Sequence, residues 1–246
     1  MNADTLHRAD IIEQSLVDTV RKALSTDLVS LFVVGSYANY DIVEGYSDYD
    51  VLAFVDTPDP AGSQIDFAVL SKKYAVEIKC TVRPLSDFKN RILDNDRATR
   101  FVGNLTLLDL KLHARLLYGK DIVSLIPDVR DLLTRDLQSE LQAEYTHALD
   151  VDKEKNIFVR EPRDWCNYVI NMCGALLLAV GISARKDTYP ELISRHHPEF
   201  GGVPYLKEAL QLRSTMSVLH VSDTERDNFK NVLALFLDEY RRYTFK

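Results

Sequence analysis

Three cysteines in 246 residues, none of them in a Cys-x-x-Cys spacing, are too few and too irregular for a disulfide scaffold or a patterned zinc site, so Cys80, Cys166 and Cys173 read as reduced thiols serving as small core hydrophobes. Long apolar runs are also missing. None approaches the roughly 20 residues that a membrane span needs. The opening stretch MNADTLHRADIIEQSLVDTV has neither the apolar centre nor the cleavage site of a secretory signal, and the expectation is a soluble, cytoplasmic protein without a membrane partner. Positive charge is short as well: 30 Lys and Arg against 37 Asp and Glu leave a net charge of -7. A chain of that balance has no general field to attract a phosphate backbone, which argues against a dedicated nucleic-acid binder while leaving room for a local basic pocket. No internal repeat or low-complexity tract is visible.

What is present is an alternation of helical and extended segments, followed by helices alone. Ile12, Leu16, Val20 and Leu24 recur four apart and predict an amphipathic helix over 11–24 that packs on a sheet. LVSLFVV at 28–34, DVLAFV at 50–55 and YAVEIKCTV at 74–82 predict three strands. Between the last two, Pro58, Pro60 and Gly62 mark a loop, and 65–70 suggests a helical turn or two. Helices are expected over 86–93, 102–118, 129–149, 163–180, 205–218 and 224–243, with no further strand. The fold class expected is α+β: a small mixed-sheet domain over 1–122 followed by an all-helical bundle over 123–246.

One short stretch carries chemistry. Asp48 and Asp50 stand one residue apart where an apolar strand begins, just after Gly35-Ser36. Alternation puts both carboxylates on one face, where like charges repel unless a cation, a proton or a basic group lies between them. Glu77, between Val76 and Ile78, is expected to be a buried acid with the same need. If the strands neighbour one another, three carboxylates converge beside a turn that offers backbone N–H groups. Magnesium prefers such hard oxygen ligands and commonly holds substrate phosphates too. The chemistry implied is nucleotidyl transfer. The bland alternative is a tight turn, a solvated strand end and a solvent-facing Glu77.

Gly35-Ser36, eleven intervening residues and then Asp48-Tyr49-Asp50 resemble the G-S…D-x-D motif of the nucleotidyltransferase superfamily. YAVEIKCTV is similar to the strand that carries that family's third acid. LLYGKDI with a following proline, and YVINMCGALLLAVGISARKD, resemble the connection and the helical core of aminoglycoside 3''/9-type adenylyltransferases. The resemblance implies that Asp48, Asp50 and Glu77 are catalytic and bind Mg2+, with Glu77 as base or ligand. It implies that Gly35 and Ser36 contact the phosphates of ATP, the nucleotide donor, and that Arg185 and Lys186 reach the triphosphate. The partners implied are a nucleoside triphosphate and a small-molecule acceptor such as an aminoglycoside. The alternatives are an antitoxin-type adenylyltransferase that modifies a protein and a nucleotide-binding scaffold without turnover. The chain departs from the family pattern in having no Lys or Arg between Tyr37 and Ser47. Arg213 and His220 fit a spacing that resembles helical ribonucleases of the HEPN type, a rival that the acidic composition disfavours.

Overall fold

A computed structural model of the chain describes residues 3–39, 41–42, 47–57, 65–86, 88–89, 104–149, 162–215 and 223–246. The chain divides into two compact units, Met1–Asp128 and Val129–Lys246. In the first, helix α1 (Ala3–Leu24) leads into strand β1 (Leu28–Val34), the single turn α2 (Gly35–Ala38) and strand β2 (Tyr49–Val55). Helix α3 (Ala68–Tyr74) then crosses to strand β3 (Ile78–Pro84), and helix α4 (Asn104–His113) precedes strand β4 (Arg115–Gly119). The sheet order is β3-β2-β1-β4. β1 runs antiparallel to both β2 and β4, whereas β2 and β3 are parallel, the relation a helical crossover permits.

The spacing of apolar residues explains which face each element buries. Ile12, Leu16, Val20 and Leu24 of α1 cover one face of the sheet, against Leu31, Val33, Tyr49, Val51, Ala53, Val55 and Ile78. On the β1 and β2 residues of opposite parity, Phe32 meets Phe54 edge to face with ring centroids 6.3 Å apart, and Phe54 meets Phe88 at 5.0 Å.

The third strand does not begin at residue 74: Tyr74 closes α3, Ala75 turns the chain in the left-handed region (φ 49°), and Ser71 Oγ accepts the Ile78 backbone N–H at 3.1 Å. That local cap delays the strand to Ile78. The helix expected over 102–118 stops at His113, and Arg115–Gly119 forms a fourth strand on the free edge of β1. Its sequence, RLLYG, suits either state; the open edge decides. Gly119 fits because its φ is +86° and because any Cβ there would lie 2.1 Å from the Val29 carbonyl oxygen. The residues after it stay with the sheet, since Ser30 Oγ donates to the Lys120 carbonyl and Lys111 Nζ donates to that of Ile126, so the first unit runs on to Asp128 where the sequence suggested a break after 122. The expected helix over 86–93 lies largely outside the described residues, as do the loop at 58–64 and His220.

The second unit is helical: α5 (Val129–Leu133), α6 (Gln138–Ala148), α7 (Pro162–Leu178), α8 (Tyr189–His196), α9 (Val203–Thr215) and α10 (Asp223–Thr244). Helix α7 is its centre, burying Trp165, Cys166, Val169, Ile170, Met172, Cys173, Leu176 and Leu177. Cys80, Cys166 and Cys173 are free thiols, and burial pushes Cys80 and Cys166 up to about 12, so they act as packing groups. Among the described residues no helix is long and apolar enough to cross a membrane.

His197, at the end of α8, is buried at 6% exposure and satisfied at both nitrogens. Nε2 donates to the Leu176 carbonyl at 3.0 Å, and Nδ1 accepts from the Tyr243 hydroxyl at 2.9 Å. Burial holds its pKa below the ordinary histidine value, against the opposing effect of the Leu176 bond. The folded state therefore binds a proton less readily than the unfolded chain, and stability is lost as pH falls below about 6.5, the unfolded value. The melting temperature should drop between about pH 7.5 and pH 5.5, and His197→Gln should flatten that slope; a wild-type curve no steeper than the variant's would refute the assignment.

Candidate active site at the start of strands β2 and β3

Register gathers the acids. Asp50 pairs with Val34 on one side and Lys79 on the other, and Tyr49 pairs with Ile78. The Tyr49 backbone N–H donates to the Glu77 carbonyl at 2.7 Å, which locks the two strand beginnings together. Because side chains alternate, Tyr49 and Ile78 enter the core under α1 while Asp48, Asp50, Glu77 and Lys79 share the opposite face. Gly35 (φ +68°) follows directly on the end of β1, and a Cβ there would approach Asp50 Oδ2 to 3.2 Å. The carboxylate thus faces bare backbone, with Ser36 next in the turn.

Lys79 sits among these acids. Its Nζ lies 2.6 Å from Asp48 Oδ2 and 3.5 Å from Glu77 Oε1, with side-chain exposures of 51%, 27% and 55% for Lys79, Asp48 and Glu77. Partial burial alone would lower the ammonium's pKa, but the hydrogen bond to Asp48 and the charges of Asp48, Glu77 and Asp50 carry it above the ordinary lysine value. This is the basic group that the paired aspartates needed.

Tyr49, between the two aspartates, fixes which way they face. Its ring is fully buried, its hydroxyl donates to Glu13 Oε1 at 2.8 Å, and Arg115 holds the same carboxylate through Nη1 to Oε2 at 2.8 Å and Nη2 to Oε1 at 2.5 Å. Helix α1, β2 and β4 are thereby pinned together directly beneath the acids. Burial, with Glu13's charge and hydrogen bond, pushes the Tyr49 phenol well above its usual range, so it stays neutral.

Of the seven candidate residues, the structure brings together Gly35, Ser36, Asp48, Asp50 and Glu77. Glu77 differs from expectation in one respect: it precedes β3 and is exposed, because Val76 and Ile78 take the buried positions on either side. Among the described residues no three acidic, histidine or cysteine side chains form a group that could hold a metal ion. The pair Asp48 and Asp50 fits magnesium in a narrower sense, since this ion is commonly held by one or two carboxylates with the rest of its shell from water and phosphate. A cationic group is already seated on Asp48 Oδ2, and the glycine opposite Asp50 leaves room for an approaching oxygen. Arg185 and Lys186 belong to the second unit, where Arg185 Nη2 is 2.9 Å from Asp187 Oδ2 with both side chains well exposed. Sequence reasoning passed over Lys79, Glu13 and Arg115. Lys79 was within reach of it, since in EIKC it stands two residues beyond Glu77 and shares its face.

No protein-family model and no curated protein matches the chain. Among solved structures the chain is similar to the spectinomycin adenyltransferase from Enterococcus faecialis determined with ATP and spectinomycin. The TM-score is 0.58 at 14% identity, over 94% of this chain and 99% of that one. The likeness shows that the two chains share a fold. A toxin-antitoxin structure with AMP-PNP matches 53% of this chain and 93% of that one at 16% identity, with a TM-score of 0.36 that carries no argument.

The Tyr49 brace yields a measurable expectation. Tyr49→Phe removes one hydrogen bond to a charged acceptor and should cost about 2 kcal/mol, read in urea as a lower midpoint at unchanged slope. A midpoint equal to wild type would show that the hydroxyl does not hold the strand.

Proposed function

We propose that this chain is a magnesium-dependent nucleotidyltransferase that transfers AMP from ATP to a hydroxyl of a polar small molecule such as an aminoglycoside. The observation that carries the reading is the placing of Asp48 and Asp50 on one face of β2, opposite the Gly35 turn and beside Glu77, in a fold shared with an enzyme solved with ATP and spectinomycin.

Each residue has a part in that chemistry. Asp48 and Asp50 hold the magnesium, which supplies polarisation of the phosphoryl oxygens and charge for the departing pyrophosphate. Gly35, lacking a side chain, lets a phosphate come close to the backbone, and Ser36 offers a hydroxyl at the same turn. Glu77, exposed at the strand's beginning, takes the proton of the acceptor hydroxyl as its oxygen bonds to the α-phosphorus and the bond to pyrophosphate breaks. The net charge of -7 favours a polycationic acceptor over an anionic one.

Transfer of label from α-labelled ATP, assayed against a panel of aminoglycosides, tests the proposal. Asp48→Asn and Asp50→Asn should abolish transfer while the fold persists. Glu77→Gln should lower kcat by roughly 10²- to 10⁴-fold and leave ATP affinity nearly unchanged. Undiminished transfer in either aspartate variant removes the metal assignment; a loss confined to ATP affinity in Glu77→Gln makes that residue a ligand instead of a base.

A further inference from the structure

Lys79 has no part in the chemistry just described, yet it lies between two of the site's acids. Its ammonium is hydrogen-bonded to Asp48 Oδ2, lies 3.5 Å from Glu77 Oε1 and feels the charge of Asp50. It occupies one of the two carboxylate oxygens that a cation bound by Asp48 would use. Magnesium bonds its oxygen ligands at about 2.0–2.1 Å. An ion taking Asp48 Oδ2 while the ammonium stays 2.6 Å from the same atom would put the two cations no more than about 5 Å apart, a like-charge contact that weakens the binding of either. Of the two, Lys79 is the one able to move aside. Its side chain is 51% exposed, and a lysine carries its charge on a flexible four-carbon stem.

The charges and the neighbouring sequence indicate where it goes. Formally, three carboxylates against one ammonium leave two negative charges, which a divalent ion cancels. Lys79 is counted in that balance and so stays at the site, two strands over from the Gly35-Ser36 turn, through the pairing of β3 with β2 and of Asp50 with Val34. That turn and the loop after it carry no Lys or Arg from Tyr37 to Ser47, so a triphosphate seated there finds no basic side chain in its own loop.

We propose that Lys79 is an exchanging counter-ion: in the free protein it holds Asp48 and excludes divalent metal, and when the metal–nucleotide complex binds it moves from Asp48 to a phosphate oxygen. This inference rests on the nucleotide-binding reading of the same acids and adds a specific role for one residue. It makes metal binding and nucleotide binding mutually supporting, because the nucleotide provides the place to which the competing cation withdraws.

The test is a pair of titrations on the full chain, comparing wild type, Lys79→Gln, Lys79→Met and Asp48→Asn, with thermal melts to confirm that each is folded. Manganese alone, followed by the paramagnetic resonance of the free ion, should bind the two Lys79 variants about tenfold more tightly than wild type, because the competitor is gone. Manganese-ATP, followed by calorimetry, should bind those variants about tenfold more weakly, because a charge-assisted phosphate contact is gone. Opposite shifts from one substitution are the signature, and a merely structural lysine would not produce them. Unchanged manganese affinity in the Lys79 variants, or unchanged manganese-ATP affinity, overturns the exchange and leaves the metal assignment standing as long as Asp48→Asn abolishes binding. Equal binding by wild type and Asp48→Asn, or none by any of the four proteins, overturns both the exchange and the function on which it rests.

Discussion

The hydroxyl of Tyr49, held by a carboxylate that Arg115 grips through both of its oxygens, is the contact on which the arrangement of acids depends. A strand beginning with charge on alternate positions has no intrinsic reason to keep those charges on the outer face; a slip of one residue would bury both aspartates. Placing a large aromatic between them, and giving its polar end a half-buried partner, makes the alternative register cost the burial of two carboxylates and the exposure of the ring. The site's geometry is therefore enforced from the opposite side of the sheet, by a group that never meets a ligand on the acid face.

Within the helical unit the same economy recurs. Thr244, at the end of α10, has its carbonyl taken by the amide groups of Gln138 and Gln142 of α6, and the Tyr243 hydroxyl next to it closes on His197. Phe200 meets Phe236, Tyr240 and Tyr243. The last turn of the chain is thus fastened by both polar and aromatic contacts, so the C-terminal helix is part of the unit's core and not an appendage.

Much of this was legible in the sequence wherever local pattern and tertiary demand agree. The run at Leu28–Val34 reads as a buried strand, the four-residue spacing in α1 reads as one face of a helix, and the G-S…D-x-D spacing holds four of the five candidate residues that the structure gathers. Failures came where a partner far along the chain decided the outcome. Arg115–Gly119 is as good a helix as a strand until the edge of β1 claims it. Glu77 is a local case: Val76 and Ile78 take the buried positions and alternation turns it outward, the alternative that the sequence had left open. Lys79 looked like ordinary strand polarity until the parallel pairing set it beside Asp50.

The closing strand also dictates the order in which the first unit can become whole during synthesis. Ser30 reaches Lys120 across a separation of 90 residues and Glu13 reaches Arg115 across 102, so the brace under the acids cannot form until almost the entire first unit has left the ribosome. Until then β1 presents an unpaired edge, and Glu13 lacks the guanidinium that offsets its burial. Contacts of such long sequence separation form late and slowly, after the loop entropy has been overcome. The nascent chain therefore spends most of the first unit's translation with its acidic strand begun but unanchored, and the acids are fixed in place only once Arg115 has emerged.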